Sequence, residues 1–160
     1  MIRLTAHSTD DTREIASAIA MLVRSGDMIV LSGEMGSGKT TFSQHFAHAL
    51  GVTEPVTSPT FNLLHNYVGG RLKLHHADLY RLERTGELDD LGLTDLQEAG
   101  GVMLVEWGDV VGDDIGDGLT ITLKHVDGSE DSRHVEIGWR GKQWESRWDK
   151  LRSSLARWSA

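Results

Sequence analysis

The segment GEMGSGKT, residues 33–40, carries glycine, lysine and threonine in the order G-x-x-x-x-G-K-[ST]. Gly33, Gly38, Lys39 and Thr40 hold the fixed positions, and Gly36 adds a further small residue. This spacing suits a loop whose backbone N–H groups turn inward around a polyphosphate. Lysine supplies a point charge for the β- and γ-phosphates, and the threonine hydroxyl suits Mg²⁺. An apolar run, MIVLS at 28–32, precedes the loop, and helical spacing from 41 to 50 follows it. That strand–loop–helix context is what such a loop requires, because the helix start adds a positive dipole end. The expected phosphate cradle is Met35, Gly36, Ser37, Gly38, Lys39, Thr40 and Thr41.

A nucleoside triphosphate site also needs a carboxylate for Mg²⁺ and water, usually at the end of a neighbouring strand. Glu106 closes the apolar run VMLVE and is expected exposed in the crevice at that strand end. Asp78, in HHADLY, is a second carboxylate at a strand end, suited to Mg²⁺ or to orienting water. His75 and His76 beside it invite a metal reading, but their place in an alternating strand favours structural histidines. Thr57, Ser58 and Thr60 stand in a proline-braced loop after the expected P-loop helix, where nucleotide-sensing switches occur. Ordinary turn chemistry explains these hydroxyls equally well.

Composition narrows the field. The 160 residues suffice for one domain, and the net charge of −8 argues against direct gripping of DNA or RNA. No run of eighteen apolar residues suggests a membrane span, and MIRLTAHSTDD lacks the apolar core of a signal peptide. Without cysteine there is no disulfide framework, so a cytoplasmic location is expected. The acidic stretch GDVVGDDIGDG, 108–118, fails the spacing of a calcium loop. No N-K-x-D segment selects guanine, no LSGGQ signature is present, and only Arg81 and Arg84 could serve a kinase lid.

The elements that must position these groups read as follows. A first strand is expected at 3–8 and a helix at 10–24, with Ile15, Ile19, Leu22 and Val23 on its apolar face. A buried strand covers 28–32, and a helix covers 41–50. FNLLHNY (61–67) and LKLHHADLY (72–80) flank VGGR as a hairpin. The segment 81–100 is helix-prone, and 101–107 is another buried strand. LTITLKHV (119–126) and RHVEIGW (133–139) alternate as an antiparallel pair. In the tail, Trp144, Trp148, Leu151, Leu155 and Trp158 form one apolar stripe of an expected helix at 141–158. Packing on the chain's own sheet is the favoured role of that stripe, and docking a partner is the other. The whole is expected to be a single α/β P-loop domain over 1–160. Its architecture is a three-layer sandwich, with a mainly parallel sheet extended by antiparallel strands.

Four motifs stand in order: GEMGSGKTTF, TSPTF, HHADLYRL and LVEWGD. Together they resemble the TsaE (YjeE) family over roughly residues 5–140. This family comprises P-loop ATPases of bacterial tRNA threonylcarbamoyladenosine modification, at the adenosine next to the anticodon. The resemblance implies Mg²⁺-dependent ATP hydrolysis, slow alone, that resets a complex of TsaD-like and TsaB-like proteins. Contact with tRNA would then be indirect. It further implies that Lys39 holds phosphate and that Thr40 and Glu106 bind Mg²⁺. Asp78 would act near Mg²⁺ and the γ-phosphate, and Trp107 would stand beside the site. Thr60 would belong to a switch-like loop, Thr9 would lie near the adenine, and Arg133, before the last strand, would reach the nucleotide. Glu34 stands where aspartate is also common, and the tryptophan-rich tail lies outside the family's motif set. Read from the residues alone, a P-loop small-molecule kinase and a nucleotide-sensing module stay open.

Overall fold

The computed structural model describes residues 1–34, 36–56, 64–68, 70–78, 100–106 and 117–160. Seven strands form one sheet in the order β1-β7-β6-β2-β5-β4-β3. They are β1 (Ile2–Ala6), β2 (Met28–Gly33), β3 (Leu64–Tyr67), β4 (Leu74–Asp78), β5 (Val102–Glu106), β6 (Gly118–Val126) and β7 (Ser129–Arg140). β2 pairs in parallel with β5 and β6, and β4 in parallel with β5. β3, β7 and β1 extend this parallel centre with antiparallel pairings. The fold is therefore the expected α/β arrangement.

The central strands read as continuous apolar runs because both their faces are covered. Ile29, Leu31, Leu74 and Leu104 join one large core with Phe42 and Phe46. Met28, Val30, Ala77, Met103 and Val105, which alternate with them, are buried as well. The expected helices at 81–100 fall almost wholly outside the described residues.

Helix α1 (Thr9–Ala20) starts where capping chemistry predicts: the Ser8 hydroxyl accepts from the Asp11 N–H. Asp11 reaches back to accept the His7 N–H at 2.9 Å. That bond, ahead of the opposing effect of burial, holds the Asp11 carboxyl below the usual aspartate range. β1 therefore ends at Ala6 and not at residue 8, since His7 and Ser8 serve the cap. The helix also stops four residues before Arg24. The guanidinium of Arg71, from the β3–β4 turn, donates to the Ala20 carbonyl at 2.9 Å and to that of Val23 at 3.4 Å. Leu22 and Val23 thus pack from a turn and not from the helix.

The antiparallel pair is longer than its alternation suggests. β7 begins at Ser129, directly after the Asp127-Gly128 turn, with Gly128 at φ 81°. The tail departs most from expectation. In place of one helix over 141–158, a 3₁₀ turn (Glu145–Arg147), helix α3 (Trp148–Ser154) and a second 3₁₀ turn (Ala156–Trp158) follow one another. The stripe itself is buried on its own domain: Trp144, Leu151 and Leu155 are fully covered, and Trp148 packs against Trp139 at 4.2 Å between ring centroids. Trp158 joins the Asp11 carboxylate. The Ala160 N–H donates to the Arg3 carbonyl, so the chain end covers the free edge of β1.

Arg147 anchors the tail. Its guanidinium grips Asp27 bidentately at 2.6 and 2.9 Å, donates to the Leu22 and Gln143 carbonyls, and stacks on Trp144 at 4.0 Å. Both charged side chains are about 95% buried, at 5% and 4% exposure. Asp27 also accepts the Arg24 N–H at 2.7 Å. Such a pair is strongly coupled to folding, because losing one partner strands the other charge. Arg147→Met is therefore expected to lower the unfolding free energy by about 3–5 kcal/mol in urea titration.

Candidate active site

The loop from β2 to helix α2 (Lys39–Ala49) forms a tight cradle. A Cβ at Gly33 would lie 2.7 Å from the Leu123 carbonyl oxygen, so only glycine fits there. Gly38 turns into the helix at φ 101°, a conformation that L side chains rarely adopt. As N-cap it brings no side-chain acceptor, and the first turn of α2 holds no acidic residue. The N-terminal N–H groups and the positive dipole end thus lack an anionic side chain of their own. Among the described residues the buried Ser37 hydroxyl has no hydrogen-bond partner either. This donor-rich, acceptor-poor cradle fits a phosphate.

Lys39 folds back over the loop, and its ammonium donates to the Gly33 carbonyl at 2.7 Å and the Glu34 carbonyl at 2.9 Å. Arg133 secures the loop from the other side. Its guanidinium donates to the Ser37 carbonyl at 2.8 Å and the Gly36 carbonyl at 3.3 Å. Arg133 lies within β7, not before it, and the bonds it makes here are to the loop backbone. An open cavity of about 160 Å³ lies beside the cradle, lined by Thr9, Thr12, Gly36, Ser37, Gly38, Thr41, Asp131 and Arg133. Six residues expected from the sequence therefore meet here: Thr9, Gly36, Ser37, Gly38, Thr41 and Arg133. Thr12 and Asp131 were not expected. Thr12 lies three residues after Thr9 on one helix face, a spacing that could have revealed it.

The carboxylates come from the neighbouring parallel strands. Leu31 of β2 is in register with Glu106 of β5, which is in register with Asp78 of β4. Both acids thus stand at carboxyl ends of strands, level with the entrance to the loop. Glu106 is not exposed as expected: it is 3% exposed, with the Ser43 hydroxyl donating to Oε1 at 3.5 Å and His76 Nε2 at 3.8 Å. Asp78 is also buried. Ser43 was missed, though it lies one helical turn beyond Lys39, on the same face of α2.

Burial pulls the pKa of the Lys39 ammonium below the ordinary lysine value, and the negative charges of Glu106 and Asp78 oppose that shift. Lysine and both acids therefore share one electrostatic field. Thr40, second in α2, is exposed. A threonine hydroxyl with two carboxylates is an oxygen donor set, which suits Mg²⁺ over softer metals. Among the described residues no group of three or more His, Cys, Asp or Glu stands together to hold a metal. His75 is a structural histidine, bonded to Asn66 Oδ1 at 2.8 Å and the Gly100 carbonyl at 3.1 Å. Met35, Thr60 and Trp107 lie outside the described residues.

Residues 6–135 match the family model described as threonylcarbamoyl adenosine biosynthesis protein TsaE. The tRNA threonylcarbamoyladenosine biosynthesis protein TsaE of Bacillus subtilis is 36% identical over 143 residues, which is 89% of this chain and 88% of that one. Its counterpart in Streptomyces coelicolor is 37% identical over 138 residues, 82% of this chain and 93% of that one. The crystal structure of Bacillus subtilis YdiB superposes with a TM-score of 0.77 at 30% identity, covering 98% and 97% of the two chains.

Since each carboxylate raises the Lys39 pKa, Glu106→Gln is expected to lower it further. An NMR pH titration of the Lys39 side chain in both proteins reads this directly; an unchanged or higher midpoint would contradict the shared field.

Proposed function

The chain belongs to the TsaE family of tRNA threonylcarbamoyladenosine biosynthesis, and on that footing we propose that it is the ATP-hydrolysing subunit of the modification machinery. The observation that carries this reading is the row Leu31–Glu106–Asp78, which aligns two buried carboxylates with the phosphate loop and its lysine.

In this reading the cavity beside Thr9 takes the nucleoside side of ATP, and the N–H groups at 38–41 take the phosphates. Lys39 exchanges the Gly33 and Glu34 carbonyls for the β- and γ-phosphates, a change of acceptor for an ammonium already in place. Arg133 holds the Gly36 and Ser37 carbonyls and the Glu34 carbonyl takes the Ser37 N–H, so the Gly38 N–H, across the peptide from the Ser37 carbonyl, faces the anion. Thr40 and Glu106 are the Mg²⁺ ligands, with Asp78 completing the set or orienting the attacking water. Held there, Mg²⁺ would supply positive charge against the phosphate oxygens. The family pattern assigns Thr60 and Trp107 to nucleotide binding as well, and the glycine-loop pattern assigns Met35.

In this reading water takes the phosphoryl group, and hydrolysis serves a conformational role. The chain works with TsaD-like and TsaB-like proteins in the cytoplasm, and its turnover resets that pair between rounds. Its contact with tRNA runs through the complex, in keeping with a net charge of −8.

The test is ATP turnover by the purified chain, alone and with the TsaD–TsaB pair and tRNA, with Lys39→Ala as blank. Slow turnover that changes when the pair is added supports the reading; turnover indifferent to the pair contradicts the assigned partner. Glu106→Ala and Asp78→Ala are each expected to lose on the order of 10²-fold in turnover, the scale for removing one preorganised electrostatic group.

A further inference from the structure

Two adjacent histidines of β4 are treated very differently by the fold. His75 has both ring nitrogens hydrogen-bonded. His76 is only 1% exposed, and among the described residues neither of its ring nitrogens has a hydrogen-bond partner. An imidazole kept for packing alone is poorly served there, because two buried polar atoms lose water and gain nothing. A leucine would fill similar space without that cost. The position calls for a polar role that is completed in another state of the site.

The geometry identifies the role. His76 stands opposite Leu104 in the β4–β5 register, so it shares a sheet face with Asp78 and with Glu106. Its Nε2 faces Glu106 Oε1 at 3.8 Å, just beyond hydrogen-bonding reach. The Ser43 hydroxyl approaches the same oxygen from α2 at 3.5 Å, also at the limit. Two donors from two elements thus converge on Oε1, and a movement of less than 1 Å closes either gap.

We propose that His76 is a positioning residue for Glu106: as the Nε2–H tautomer it donates to Oε1, with Ser43, and turns the other carboxylate oxygen toward the metal–nucleotide. It touches neither metal nor nucleotide itself. This is the arrangement by which outer partners orient a ligating carboxylate. The inference rests on the Mg²⁺–ATP reading given above.

The test uses the full chain and measures Mn²⁺ binding in the presence of AMP-PNP by electron paramagnetic resonance, together with the thermal midpoint. His76→Leu removes the donor and both unpaired nitrogens. It is expected to weaken Mn²⁺ binding about tenfold, the lower end for loss of an outer partner, with an unchanged or higher midpoint. His76→Gln, whose amide nitrogen can occupy the Nε2 position, should recover most of the affinity. His76→Asn, whose shorter amide cannot, should not. Wild-type affinity in His76→Leu would overturn the inference, as would equal losses in Gln and Asn variants with lowered midpoints, the mark of a merely structural residue. If His76→Leu fails to fold, the Gln and Asn pair decides alone: equal affinities overturn it. Wild-type protein that binds no Mn²⁺ with AMP-PNP would overturn the ATPase reading and this inference with it. Normal wild-type binding that is insensitive to His76 would overturn the inference alone.

Discussion

The parallel pairing of β2, β5 and β4 is the constraint on which the rest depends. Parallel strands run the same way, so their carboxyl ends lie on one side of the sheet. Their register then decides which residues stand level there. Leu31, Glu106 and Asp78 occupy one row, two residues before the glycine that opens the phosphate loop. A slip of one residue in β5 would turn Glu106 to the opposite face, away from Lys39 and Ser43. Such a slip would also exchange Leu104 for the smaller Val105 in the core. The apolar residues that fix the register therefore fix the acids as well.

Around this row the chain secures β2 at both ends. At its start, Asp27 is locked by Arg147, and the backbone of Asp27 accepts the Met103 N–H from β5. At its finish, Arg133 holds the loop carbonyls from β7. Both arginines come from the C-terminal third of the chain, so the antiparallel extension and the tail brace the loop that precedes them by about a hundred residues. The carboxylates sit in a site of low exposure, where attraction to Lys39 is less screened than in water. Burial of Glu106 is thus a feature of the electrostatics and not a failure of access.

The local parts were legible in the sequence. A glycine loop between an apolar run and a helical repeat specifies itself, since strand, turn and helix are neighbours in the chain. Glu106 and Asp78 could be picked out because each ends an apolar run. The TsaE resemblance, read on four motifs, agrees with the family match over residues 6–135. What escaped were groups fixed by distant contacts. The early end of α1 depends on Arg71, 51 residues away from Ala20. The broken tail depends on where Asp27, Trp139, Asp11 and Arg3 stand in space. Asp131 reaches the cavity only because the β6–β7 hairpin turns at Asp127-Gly128, a signal present in the sequence but passed over. No periodicity could place the imidazole of His76 against Glu106, because that requires the register of two strands.

In the proposed site this row of acids meets the phosphate end of a bound nucleotide. Paramagnetic broadening of amide NMR signals by Mn²⁺ bound with AMP-PNP measures it most directly. The account predicts that signals of Lys39, Thr40, Asp78 and Glu106 broaden first, with those around Asp131 less affected. Broadening centred elsewhere, with the β4 and β5 ends unchanged, would contradict it.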